Sequence, residues 1–190
     1  MTLHLRFFFK ITFVSLSILL LTSVSAVSAK EAPKQQVSQL IPITEQVASL
    51  VLGIIRYSRW PEPLQQVDIC VVGQVKHAET LLLATHFIGD VPVVSQSTSI
   101  EQVLSLTTEC HLYYAGHLPS ELYKQLYAAV GSSAVITIEE ENEHCSIGGM
   151  FCFNINNDKA TFKVNLDAVS RSSVRIHPSV LRLGQHRSGL

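Results

Sequence analysis

From Thr44 onward the chain carries two hydrophobic periods, and their alternation predicts its elements. Val47, Leu50, Val51, Ile54 and Ile55 recur at the spacing of one helix face. Thr44 suits the N-cap, and Pro61 bars any helix beyond the segment YSRWP. Val67 to Val72 (VDICVV) is a short β-branched run closed by Gly73, the signature of a buried strand. Lys76 to Phe87 reads as a helix stopped by Gly89-Asp90. Val91 to Val94 reads as a strand in which Pro92 must lie among the first residues or on an edge. Ser99 to Leu106 predicts a short helix capped by Ser99, and Cys110 to Ala115 a strand. Pro119 to Ala129 predicts a helix with Gly131 as its stop, and Ser133 to Ile138 a further strand.

Strands alternating with helices of this length imply right-handed crossovers and a largely parallel sheet. The pattern then changes. Met150 to Ile155, a turn at Asn156-Asn157-Asp158, and Ala160 to Leu166 predict an antiparallel hairpin. Phe151, Phe153 and Ile155 share one of its faces, as do Phe162, Val164 and Leu166 on the second strand. Val174 to His177 is a short extended piece, and Pro178 can open a C-terminal helix. The fold expected is α/β, with a mixed, largely parallel sheet flanked by helices and a C-terminal antiparallel hairpin.

The first 29 residues change the picture of where this fold works. Arg6 and Lys10 precede a short apolar run, Ile11 to Leu21, and Val27-Ser28-Ala29 fits the small-x-small cleavage rule. A membrane span needs roughly 18 or more apolar residues, and this run is shorter and diluted by Thr12, Ser15 and Ser17. The reading is an export signal over residues 1–29, cut after Ala29, ahead of a single domain over 30–190. Of 14 basic and 15 acidic residues the signal holds two basic ones, leaving 12 against 15. That mild negative charge argues against nucleic acid as a partner.

Export gives the four cysteines, Cys70, Cys110, Cys145 and Cys152, an oxidising setting. Cys70 and Cys110 fall in early positions of two predicted buried strands. Neighbouring strands lie about 4.8 Å apart, within reach of a disulfide. Cys145 and Cys152 enclose Gly148-Gly149, and so short a loop closes easily. The pairing 70–110 with 145–152 is therefore the one geometry favours. HCSIGGMFC lacks the Cys-x-x-Cys spacing of a zinc ribbon or a dithiol catalyst, so a staple is preferred to a redox-sensitive switch or a metal site. No Gly-x-Ser-x-Gly elbow and no glycine-rich phosphate loop follows a strand, so neither a catalytic set nor a cofactor is expected. The acidic run Glu139 to Glu143 reads as a solvated loop, and His111 and His117 as satisfied polar or surface residues.

The segments YSRWP, DICVVG, ECHLYYAG, AVITIEE, IGGMFCF and KVNLDAVSRSSVRIHPSVLRLG follow one another in that order. In this order the chain resembles the YfiR family of periplasmic proteins over nearly all of its length after the signal. The resemblance implies a periplasmic repressor, not an enzyme, that binds the outer part of an inner-membrane diguanylate cyclase. Release from it, through sequestration by an outer-membrane lipoprotein or through redox damage, would raise cyclic-di-GMP and biofilm formation. A homodimer is a further partner to consider.

Two residue sets suit binding. Arg59 and Trp60 sit at a helix exit, while Arg175 and His177 alternate in an extended piece and project to one side. Together Arg59, Trp60, Arg175 and His177 could line a pocket for a small anionic or aromatic ligand, although Trp60 also reads simply as core, and Arg175 and His177 as surface residues on a terminal strand. Phe151, beside Cys152, is expected as an exposed, rigid aromatic at a partner interface.

Overall fold

Val67–Val72, here β2, is the axis of the sheet, and its side chains split between two cores. In the computed structural model, which describes residues 41–105, 109–140, 142, 145, 148–156 and 159–184, Val67, Ile69 and Val71 enter one core and Cys70 and Val72 the other. The export signal read at 1–29, with its cut after Ala29, lies outside the described residues, as does the centre of the turn at 157–158.

The elements before β2 are helix α1, Ile43–Arg56, and a two-residue strand β1, Ser58–Arg59. After it come α2 (Glu79–Leu83), β3 (His86–Ile88), β4 (Val91–Ser97), α3 (Ile100–Leu104) and β5 (Leu112–Ala115). Then follow α4 (Ser120–Val130), β6 (Ile136–Glu139), β7 (Phe151–Asn156), β8 (Lys159–Val164), α5 (Leu166–Arg171) and β9 (Arg175–Ile176). A 3-10 turn, Pro178–Val180, leads into the short helix α6, Leu181–Gly184.

Seven strands form the main sheet in the order β3-β4-β2-β5-β6-β7-β8, while β1 and β9 pair as a separate antiparallel ribbon. β4, β2, β5, β6 and β7 are mutually parallel, and β3 and β8 run antiparallel at the two edges. The fold is thus the mixed, largely parallel α/β sheet with its late hairpin that the pattern predicts. Numbered among themselves, the parallel strands run 2-1-3-4-5, so the winding reverses between β2 and β5. The larger core lies under α1 and α2 and holds Tyr114, Phe151 and Phe153; the smaller lies under α3 and α4 and holds Tyr113, Leu126 and Cys110.

Among the boundaries that differ from expectation, three have a local cause. α1 begins one residue before Thr44, and its first amides, those of Glu45 and Gln46, donate to the carbonyl of Pro42 rather than to a threonine hydroxyl. The helix expected over 76–87 shrinks to α2, because Ala78 supplies no capping side chain and the residues after it hold β-formers. His86-Phe87-Ile88 instead pairs with Val91-Pro92-Val93 across the two-residue turn Gly89-Asp90, where Gly89 has φ +63°. Leu166 does not continue β8 but opens α5, whose first turn is capped by Asn165 Oδ1 accepting from Ala168 N at 3.1 Å.

The link from β6 to β7 is unusual. Parallel neighbours are ordinarily joined by a helix, but residues 140–150 make this crossover with no helix among the described residues. The Gly-Gly pair and Cys145 lie in that link.

Candidate functional site

The extended piece predicted near the C-terminus finds its partner just after α1. β1 and β9 pair with Arg59 opposite Arg175 and Ser58 opposite Ile176, and His177 N donates to Tyr57 O at 2.8 Å. Residues opposite one another in an antiparallel pair share a face. One face of the ribbon therefore carries Tyr57, Arg59, Arg175 and His177. The Tyr57 and His177 rings stack at 6.2 Å with 26° between planes. Ser58 turns inward, where its hydroxyl donates to Ile54 O at 2.7 Å and ties off the end of α1.

Arg59 Nη1 donates to the carbonyls of Arg56 and Ser58 at 3.1 and 2.8 Å, so its cation rests on the C-terminal end of α1. Among the described residues no carboxylate forms an ion pair with Arg59 or Arg175. Like charges directly opposite in a strand pair repel, and an anion between them would relieve this. His177 Nδ1 accepts from Ser179 N at 3.1 Å, which leaves Nε2 to carry the ring proton outward. Beside the ribbon, a groove of about 470 Å³ runs along α1, walled by Ala48, Leu52, Gly53, Tyr57, His86 and Leu183. Tyr57, which carries no sequence signal of its own, joins groove to ribbon.

Trp60 goes elsewhere. Strand alternation sends it to the side of Ser58, where it meets His111 edge-on at 6.3 Å. His111 Nδ1 in turn accepts from Asp68 N at 3.0 Å. The structure therefore gathers three of the four ligand-set residues and separates the tryptophan.

Both cysteine pairs are bonded as geometry favours. Cys70 and Cys110 have Cα atoms 5.9 Å apart, with Cys70 inside β2 and Cys110 just ahead of β5. Cys145 and Cys152 have Cα atoms 5.5 Å apart, and Cys145 holds φ +49°, a left-handed conformation uncommon for a residue with a side chain. Cys152 lies opposite Glu139 in the β6–β7 pairing. Glu139 is 4% exposed, and its carboxylate accepts from Gly149 N at 2.6 Å, from the Tyr127 hydroxyl of α4 and from Asn142 Nδ2. Asn142 Oδ1 accepts from Cys145 N at 3.1 Å, which closes the circuit back to the disulfide. A Cβ on Gly148 would run into Glu139 Oε1, so glycine is required there. Burial, and then the Glu139 carboxylate beside it, hold the Tyr127 phenol far above its ordinary pKa.

Two expectations are corrected. Phe151 is fully buried, not an exposed interface residue: alternation along β7 turns it into the larger core, edge-on to Phe162 at 5.5 Å. The sheet face that carries Cys152 is the opposite one. The exposed large apolar side chains include Leu83, Phe87 and Leu166. Second, Glu139 and Glu140 are not in a solvated loop; both are buried, and only Glu141 and Glu143 of that run lie outside the described residues. The missed signal is their position directly after an apolar strand, where an acid must either reach water or find donors.

Against known families, the YfiR/HmsC-like family model (DUF4154) matches residues 44–185, from the first turn of α1 to just beyond α6, and the chain belongs to that family.

Proposed function

We propose that this chain is an exported, redox-sensitive regulatory binding protein that represses an inner-membrane diguanylate cyclase by engaging its periplasmic part. Membership of the YfiR/HmsC-like family, which is regulatory and periplasmic, is the observation that carries this reading. Two disulfides fit an oxidising compartment and give redox conditions a handle on the fold. In this reading the signal over residues 1–29 is removed after Ala29. An outer-membrane lipoprotein that sequesters the protein, and a second copy of the chain, are its further partners. Deleting the gene while the cyclase is expressed should raise cyclic-di-GMP and cell attachment, and the wild-type gene should restore both. Unchanged nucleotide levels in the deletion strain would overturn the reading. Pull-down with the mature protein from detergent-solubilised membranes should recover the cyclase.

A second reading is favoured by one observation, the unneutralised pair Arg59 and Arg175 beside a groove of ligand size. The ribbon then holds a small aromatic anion, with its charge on the two arginines and His177 and its ring toward Tyr57. Such a ligand should raise the melting temperature saturably, and Arg175→Ala should abolish the shift. A ligand equally effective on Arg175→Ala would rule the ribbon out.

A further inference from the structure

In sheets with this strand order, ligands bind in the crevice outside the carboxyl ends of the strands, where the winding reverses. Here that place lies between β2 and β5, and the chain has closed it from within. Gln74 and His117, just past the two strands, form an isolated antiparallel bridge, with Gln74 N donating to His117 O at 3.1 Å and His117 N to Gln74 O at 2.7 Å. Gly116 makes this approach feasible, since a Cβ there would run into Gln74 O.

Next to the bridge, successive backbone amides turn toward a single acceptor. Lys76 N donates to Glu140 Oε2 at 2.8 Å, and His77 N donates to Glu140 Oε1 at 2.8 Å. The Tyr114 hydroxyl, from the fully buried Tyr114 of β5, donates to Oε1 at 3.1 Å. Consecutive N–H groups converging on an oxyanion are how turns of this kind hold carboxylate and phosphate ligands. In this chain the anion arrives from the end of β6, more than sixty residues later, as a side chain 6% exposed. Its own backbone is fixed by Glu140 N donating to Ala115 O at 2.8 Å, so the carboxylate is delivered at a set height above the crevice.

We propose that the reversal-point crevice is a carboxylate-binding site that the protein fills with its own Glu140. The donors are two backbone amides and a phenol, none of which depends on Glu140 for its place in the chain, so the site survives removal of the tethered acid. Tethering gives Glu140 an effective concentration on the order of millimolar or higher, so a free monocarboxylate does not displace it from the intact protein. This inference stands independently of the regulatory reading.

The test is chemical rescue. Glu140→Ala should melt below wild type. Sodium acetate should recover at least half of that loss saturably, sodium chloride of equal ionic strength should not, and the wild type should respond alike to both salts. Adding Tyr114→Phe removes one charge-assisted donor and should raise the half-saturating acetate concentration about tenfold. Equal responses of Glu140→Ala to acetate and chloride, with both disulfides formed, would overturn the proposal. Should Glu140→Ala not fold, Glu140→Gln keeps the shape but offers only one acceptor oxygen. Amide exchange at Lys76 and His77 should then rise about tenfold or more, reflecting the weaker neutral bonds, while Gln74 and His117 keep their protection. Unchanged exchange at Lys76 and His77 would equally refute a carboxylate-built site.

Discussion

Replacing Cys145 and Cys152 together by serine should destabilise the protein more than the same change at Cys70 and Cys110, although loop length alone orders them the other way. The bonded pairs are separated by 7 and 40 residues. In the chain-entropy account these loops contribute about 2.5 and about 3.9 kcal/mol respectively. The folded state reverses that ordering. Without its bond, the segment around Cys70 is still held in register by β4 and β5, and His111 N still donates to Asp68 O at 2.9 Å beside Cys110. Among its described residues the crossover holding Cys145 has no such ladder. Once it opens, Glu139 loses the donors from Asn142 and Gly149, leaving a buried carboxylate with the Tyr127 hydroxyl. Each lost bond to a buried acceptor costs about 1–3 kcal/mol. With about 2 kcal/mol for each of the two bonds the total is about 6.5 kcal/mol against about 4, comparable with the whole stability of a domain of this size. Urea and thermal unfolding of both double variants, with free thiols counted under graded reductant, measure the difference. The Cys145/Cys152 variant should melt at least about 3 °C below the other, and Cys70–Cys110 should be the bond that opens and closes while the fold persists. If the Cys145/Cys152 variant melts like wild type while the other collapses, the reasoning fails.

Gly116→Ala should cost about 1–3 kcal/mol or more, because the added methyl meets the backbone oxygen of Gln74 rather than a side chain that can swing away; a urea midpoint within error of wild type would contradict it. Arg175→Ala should leave the ligand-free protein as stable as wild type or up to about 1 kcal/mol more stable, since it removes one of two facing cations; a clear loss of stability would mean that Arg175 has a structural role. Tyr127 should produce a decline in stability at alkaline pH. Its phenol stays protonated in the folded chain, whereas an unfolded tyrosine ionises near pH 10. The folded state therefore holds a proton that the unfolded state sheds, so this stability is complete below about pH 10 and is lost as pH rises beyond it. Tyrosinate absorbance followed beside circular dichroism should show Tyr127 ionising only with unfolding, and Tyr127→Phe should reduce the alkaline loss, leaving the smaller share of Tyr113 and Tyr123, whose phenols burial also holds above the ordinary value.

What the sequence makes legible are features enforced by local period and by covalent reach. VDICVV and LYYA are strands because β-branched and aromatic residues fill both faces, and Cys70 and Cys110 meet because adjacent strands bring the one in β2 and the one just ahead of β5 within bonding distance. Long-range partnership is less visible. The two residues of β1 have no periodicity to detect, and only their pairing with β9 reveals that Arg59 and Arg175 face each other. Gly89-Asp90 reads equally as a helix stop and as a hairpin turn, and the β-propensity of His86-Phe87-Ile88 decides for the turn. The burial of Phe151 is not legible, because a neighbouring cysteine says nothing about which way the strand is turned. Nor is that of the two acids, because an acidic run is usually wet and the donors that hold these two come from distant loops and α4.

Trp60 is the chain's single tryptophan, its indole N–H is buried without a hydrogen-bond acceptor among the described residues, and its ring leans on His111, the neighbour of Cys110. The same residue directly follows Arg59 of the ribbon. One intrinsic fluorophore thus adjoins both the arginine pair and the residue next to the Cys70–Cys110 bond. Occupancy of the arginine pair would reach it through the adjoining peptide, and opening of the Cys70–Cys110 bond would reach it through the histidine. Either disturbance can therefore be followed in the emission of Trp60, without a label, from one unmodified molecule.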